Sequence, residues 1–143
     1  MSTRVAAIQE LLLSCVIRGG IVDGWDGNMP FIVQKMCEIH GGTLVQIETA
    51  EEDEFIAQQM RIHSIRNTWL GGSDWAVEGS WVWEPDGKIL QYSNFAPGKP
   101  NNFFGENCLD KEQSLYYQWN DEDCDTDAYY ICEKQNVIGN LIG

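Results

Sequence analysis

Positive charge is scarce in this chain: 9 lysines and arginines stand against 22 aspartates and glutamates, a formal charge of -13. Nucleic acid and anionic membrane surfaces are therefore not expected partners, whereas cations and neutral polar ligands are. No stretch of eighteen apolar residues occurs, so no helical membrane span is expected. Histidine is limited to His40 and His63. Cys37 and His40 form one Cys-x-x-His pair without a second cluster, a weak zinc signal. There is no phosphate-cradling glycine loop, no hydrolase elbow and no basic-aromatic array. What remains is an acidic chain of 143 residues, the length of a single domain with one core.

Five cysteines, at 15, 37, 108, 124 and 132, leave one over after pairing. Cys15 lies in the apolar run Leu11-Leu12-Leu13-Ser14-Cys15-Val16-Ile17, which follows Arg4 and is at the short limit for a secretory leader core. Cleavage near Gly19-Gly20 would leave four cysteines, the count of a two-bridge secreted domain. Residues 1–20 are thus read either as a leader peptide or as a terminal helix or strand packed on the domain. The domain is placed at 21–136 and a tail at 137–143.

Residues 18–30 are glycine-rich and read as loop, with a short strand near Ile21-Val22. Phe31 to Ile39 has helical spacing and is stopped by Gly41-Gly42. Thr43 to Ile47 reads as a strand. Thr49-Ala50-Glu51-Glu52 is a capping box opening a helix to about His63, with Phe55, Ile56, Met60 and Ile62 facing the core. Trp69-Leu70-Gly71-Gly72 and Trp81-Val82-Trp83 read as strands, and Glu84-Pro85-Asp86-Gly87 as a type I turn. Most acidic residues, among them Glu51-Glu52-Asp53-Glu54 and Asp121-Glu122-Asp123, read as a solvated face. From Tyr92 to Tyr117 no periodicity persists, and Phe95, Phe103 and Phe104 argue that this run is packed. Ala128 to Cys132 closes the sheet. Trp69, Trp81, Trp83 and Trp119 are assigned to the core.

Asn101, Asn102, Glu106, Asn107, Asn120 and Asp121 offer carboxylate and amide oxygens, the hard ligands that calcium prefers. Lys99-Pro100-Asn101, Glu106 two residues before Cys108, and Trp119-Asn120-Asp121 stand in an order and spacing that resemble the C-type lectin domain family. Gly41-Gly42-Thr43-Leu44-Val45-Gln46-Ile47 and Trp69-Leu70-Gly71-Gly72 look like two further landmarks of that family, so the resemblance spans roughly residues 30 to 134.

The resemblance implies an α+β fold, two helices flanking antiparallel strands, with a long disulfide-tied calcium-binding loop. It implies bridges Cys37–Cys132 and Cys108–Cys124. It also implies one ion held by position 99, Asn101, Glu106, Asn120 and Asp121, through which a sugar is bound. A second ion would be held by Asp74, Glu78, Asn102, Glu106 and Asn107. The family carries Glu or Gln at the first of these positions, and Lys99 is an ammonium with no lone pair to give. The expected function is calcium-dependent binding of a carbohydrate or glycoprotein by a secreted or extracellular domain. The alternative is a calcium-independent module of the same fold that binds a protein ligand. A glycosidase pair formed by Glu106 and Asp121 is disfavoured, because the binding motif already uses both residues.

Overall fold

The computed structural model describes residues 12–17, 29–102 and 105–133. The loop before Met29 with its strand at Ile21-Val22, the packing of Phe103 and Phe104, and the tail 137–143 lie outside these residues.

In chain order the elements are β1 (Leu12–Ile17), α1 (Met29–Ile39), β2 (Thr43–Leu44), α2 (Ala50–Ile62), β3 (Asn67–Ser73), β4 (Val82–Trp83), β5 (Lys88–Ile89), β6 (Cys108–Glu112), β7 (Gln118–Glu122) and β8 (Ala128–Glu133). A 3-10 turn at Gln113–Leu115 lies between β6 and β7. The sheet runs β1-β8-β3-β4-β5, β2 also pairs with β8, and β6 joins β3 to β7. All pairs are antiparallel except β3 with β8. The apolar run read from sequence as leader or terminal segment contributes β1, whose Leu12 stands opposite Cys132.

Helix α1 buries Met29, Val33 and Cys37, spaced four apart and hence on one face. Gly41, at φ +81°, and Gly42 end it by donating to the Glu38 and Cys37 carbonyls. Helix α2 opens with the Thr49 hydroxyl accepting from the Glu52 N–H at 3.1 Å. The Glu52 carboxylate reaches back to the N–H of Glu48 at 2.7 Å, one residue earlier than the capping box expects. Ile56 and Met60 are buried, but Ile62 is 70% exposed, contrary to expectation. Two residues past Met60 is about 200° around a helix, which puts Ile62 on the far side.

Several other expectations are corrected. The strand at Thr43 ends at Leu44, although Val45 and Ile47 are fully buried. The Val45 N–H donates to Ile131 and its carbonyl accepts from Gly71, so this segment is satisfied on both sides without a regular ladder. The Glu84–Pro85 peptide is cis, and the turn closes by Gly87 donating to the Trp83 carbonyl. Strand β6 emerges from the run without periodicity, because Cys108 to Lys111 are buried on both faces and leave no alternation to read.

Two disulfides hold this frame, Cys37–Cys132 and Cys108–Cys124, the pairing implied by the resemblance. On a loop-entropy account they are worth up to about 5 and about 3 kcal/mol. The core packs Ile56, Met60, Leu70, Trp81, Trp83, Leu109, Trp119 and Ile131. Phe95, Tyr92 and Trp83 each meet Trp119 at a steep, edge-on angle.

Gly72 of β3 is in close contact with β6, since a Cβ there would lie 2.7 Å from Leu109 Cδ2. Leu109 is fully buried and has little room to turn away. Gly72→Ala is expected to destabilise the domain by about 1–3 kcal/mol, read as a lower urea midpoint at unchanged m-value. An unchanged midpoint would contradict this packing.

Candidate functional site

The run from Asn94 to Asn107 is attached to β7 at its start. Trp119 donates to the Asn94 carbonyl, Ala96 donates to the Trp119 carbonyl, and Phe95 bridges Trp119 in parallel. Lys99 then donates to the Ala96 carbonyl, and the Lys99–Pro100 peptide is cis. Past this corner the Asp121 carboxylate takes over. It accepts from the Asn101 N–H at 2.9 and 3.0 Å and from the Asn102 N–H. Asn102 sits at φ +50°, a left-handed conformation that asparagine tolerates better than most residues.

Asp74, at the end of β3, joins the same region. Its N–H donates to the Asn107 carbonyl at 3.2 Å, and its Oδ2 accepts from Gly79 at 2.9 Å. Its Oδ1 is buried and has no hydrogen-bond partner among the described residues. Glu78, exposed in the following loop, has its carboxyl raised above the usual carboxylate range. A hydrogen bond shared with Asp74 is the main cause, followed by loss of water and the charges of Asp74 and Asp121. Acids from two segments, Asp74 and Glu78 after β3 and Asp121 of β7, thus lie beside a loop tethered through its backbone.

Asn120, next to Asp121 in β7, has its amide engaged by further acids. Its Nδ2 donates to Glu112 at 2.9 Å, to Asp110 at 3.3 Å and to Glu122 at 3.4 Å. Asp110 is fully buried. Burial first, and then the charge of Glu112, push its carboxyl well above the usual range. Lys99 is half-buried in the loop, and Glu106 is half-buried before the Cys108 bridge.

Sequence reasoning missed the role of Asp53, assigned with its neighbours to a solvated face. Asp53 and Glu52 are both buried. Asp53 Oδ1 accepts from Lys111 Nζ at 2.6 Å and Trp119 Nε1 at 2.9 Å, while its Oδ2 accepts from Tyr92 at 3.0 Å and Asn94 at 2.7 Å. One carboxylate of α2 therefore fixes the hairpin and the entrance of the loop together. An acidic residue one place past a capping box, with a core residue three positions on (Asp53, Ile56), was the available cue, and it is a faint one.

The Lectin C-type domain model matches residues 31–134. Perlucin of Haliotis laevigata is 38% identical over 104 residues, 71% of this chain and 66% of perlucin, so the chain spans just under two thirds of that relative. A perlucin-like protein of Mytilus galloprovincialis is 36% identical over 111 residues, 75% of this chain and 70% of that protein. Among solved structures, the C-type carbohydrate-recognition domain of cow CD23, studied in the presence of a GlcNAc2Man3 oligosaccharide, superposes with a TM-score of 0.66 at 30% identity. The match covers 85% of this chain and 88% of that domain. The paired bridges, the tethered loop and these similarities agree, and the chain belongs to the C-type lectin domain family.

Proposed function

We propose that this domain is a calcium-dependent carbohydrate-binding module, working outside the cell, where its two disulfides persist. The observation that carries the reading is the buried Asp74 Oδ1, unpartnered among the described residues, with Asp74 tied to Asn107 and Asp121 to Asn101 and Asn102 of one loop. Like charges gathered at such an oxygen are relieved by a hard divalent cation. Asp74, Glu78, Asn102, Glu106 and Asn107 would hold one ion, and Asn101, Glu106, Asn120 and Asp121 a second. A calcium ion bound by the second set supplies coordination positions for two vicinal sugar hydroxyls. Asn101 would donate to those hydroxyls and Glu106 would accept from them, so the same side chains orient the sugar. The ligand is a carbohydrate or a glycoprotein, and the domain binds it without chemical change. CD23, 30% identical, was solved in the presence of an oligosaccharide, which supports the ligand class.

Calorimetric titration of chelator-stripped protein with calcium tests this directly. Asp74→Asn with Glu78→Gln is expected to weaken uptake at the loop more than tenfold, and calcium is expected to permit retention on a mannose-type resin that EDTA reverses. If the double substitution leaves calcium binding intact and no resin retains the protein, the loop reading fails. Lys99 favours a second reading, because an ammonium occupies the place of a ligating carboxylate. In that case the domain is a calcium-independent module for a protein ligand, and the loop is a hydrogen-bonded scaffold.

A further inference from the structure

We propose that the cleft between α1, the end of β3 and the Glu84–Pro85 turn is a second ligand site, which takes a small arylalkylammonium: one aromatic ring on a short chain ending in a protonated amine. The cleft has a volume of about 280 Å³. A protein cavity of roughly 150 Å³ holds a benzene ring, so a ring with a short chain fits here. The buried Leu44, Gly71, Gly72 and Cys108 form the floor, and Phe31 and Trp75, 48% and 54% exposed, form the rim. Two aromatic rings left half in water beside a concave apolar floor are what a ring-bearing ligand would cover. None of the residues proposed above to hold calcium lines the cleft, so binding there needs no metal.

Charge selects the ligand's head group. Lys35, Glu38 and Glu84 are the charged residues of the lining. Lys35 and Glu38 answer one another, with Nζ 3.5 Å from Glu38 Oε1 and 5.3 Å from the Phe31 ring centroid. The other oxygen of Glu38 accepts from Gln34 at 2.8 Å. Glu84 has no such partner. The pairing of Gly72 with Trp83 brings Glu84 beside Gly71, and its Oε2 accepts from the Ser73 hydroxyl at 2.7 Å. Among the described residues no cation and no second donor reaches this carboxylate, so the cleft keeps one negative charge and open lone pairs. An ammonium supplies both the opposite charge and the donors, and the exposed indole of Trp75 offers a face that attracts the same cation. An anion would be repelled by Glu84, and a neutral sugar would leave its charge unanswered.

The test is a calorimetric titration of the full chain in EGTA with phenethylammonium chloride, with phenethyl alcohol as the neutral match and hydrocinnamate as the anion. Wild type is expected to bind the ammonium at one site at least tenfold more tightly than the alcohol, and the anion more weakly than either. Glu84→Gln should erase that tenfold preference and leave alcohol binding in place, because the glutamine oxygen can still accept from Ser73. Trp75→Ala should weaken ammonium and alcohol alike, and Asp74→Asn with Glu78→Gln should change neither. Should Glu84→Gln fail to fold, the wild-type preference carries the expectation together with shifts of the Gly71 and Gly72 amide resonances on titration. No ammonium binding, an affinity no better than that of the alcohol, shifts confined to other residues, or binding lost in the Asp74 and Glu78 variant overturns the site. None of these outcomes touches the calcium reading of the loop, which the EGTA sets aside.

Discussion

Asp53→Ala is expected to cost about 3–5 kcal/mol of stability, enough to consume much of what a domain of this size has. The substitution strands the Lys111 ammonium, which is buried beside it, and removes the acceptor of Trp119 Nε1, Tyr92 and Asn94 together. Burial already holds the Lys111 ammonium below its usual range despite the opposing pull of Asp53, so losing Asp53 leaves its charge without compensation. Lys111→Met in the Asp53→Ala background should recover part of the loss, since an apolar pair of similar volume carries no desolvation cost. Urea unfolding of the two single variants and the double variant measures this coupling. A single Asp53→Ala cost below about 1 kcal/mol would mean that the ion pair is solvated and peripheral.

The second large effect concerns ligand binding. Lys99→Glu removes an ammonium from the loop and supplies a carboxylate, so calcium binding should tighten more than tenfold, or by more than about 1.4 kcal/mol. Retention on mannose-type resin should appear or strengthen and be reversed by EDTA. Asp121→Asn in the Lys99→Glu background removes a carboxylate ligand and should undo most of the gain, while its amide oxygen can still accept from the loop backbone. A folded Lys99→Glu protein with unchanged calcium affinity and no resin retention would show that the loop is not poised for calcium, and the protein-binding module would then lead.

The parts of the molecule that were readable in advance depend on local pattern or on motifs at fixed spacing. The capping Thr49, the glycine stop after α1 and the tryptophan core belong to that class, and the cysteine pairing was implied by the resemblance to the C-type lectin domain family. Asp53 does not, because the residues that bury it, Lys111 and Trp119, lie 58 and 66 positions away. Nothing in Glu51-Glu52-Asp53-Glu54 distinguishes the inward acid from the outward ones until those partners arrive. The unrecognised strand β6 hid the register that places Asp110 and Glu112 beside Asn120. A strand buried on both faces carries no alternating signal, so the hairpin, and with it the acidic cluster, became visible only in three dimensions.

The loop is moored to the sheet by main-chain atoms. Asp121 grips the N–H groups of residues 101 and 102, and Ala96 and Lys99 are likewise held through their N–H groups. Such ties are indifferent to which side chains project from the loop, proline excepted at positions where the N–H is used. Replacement of Lys99 therefore changes what the surface offers while these main-chain ties stay in place. The chemistry that position 99 presents can differ without touching what holds the fold, which rests on Asp53, Gly72 and the bridges. A lysine at position 99 is compatible with the fold for that reason.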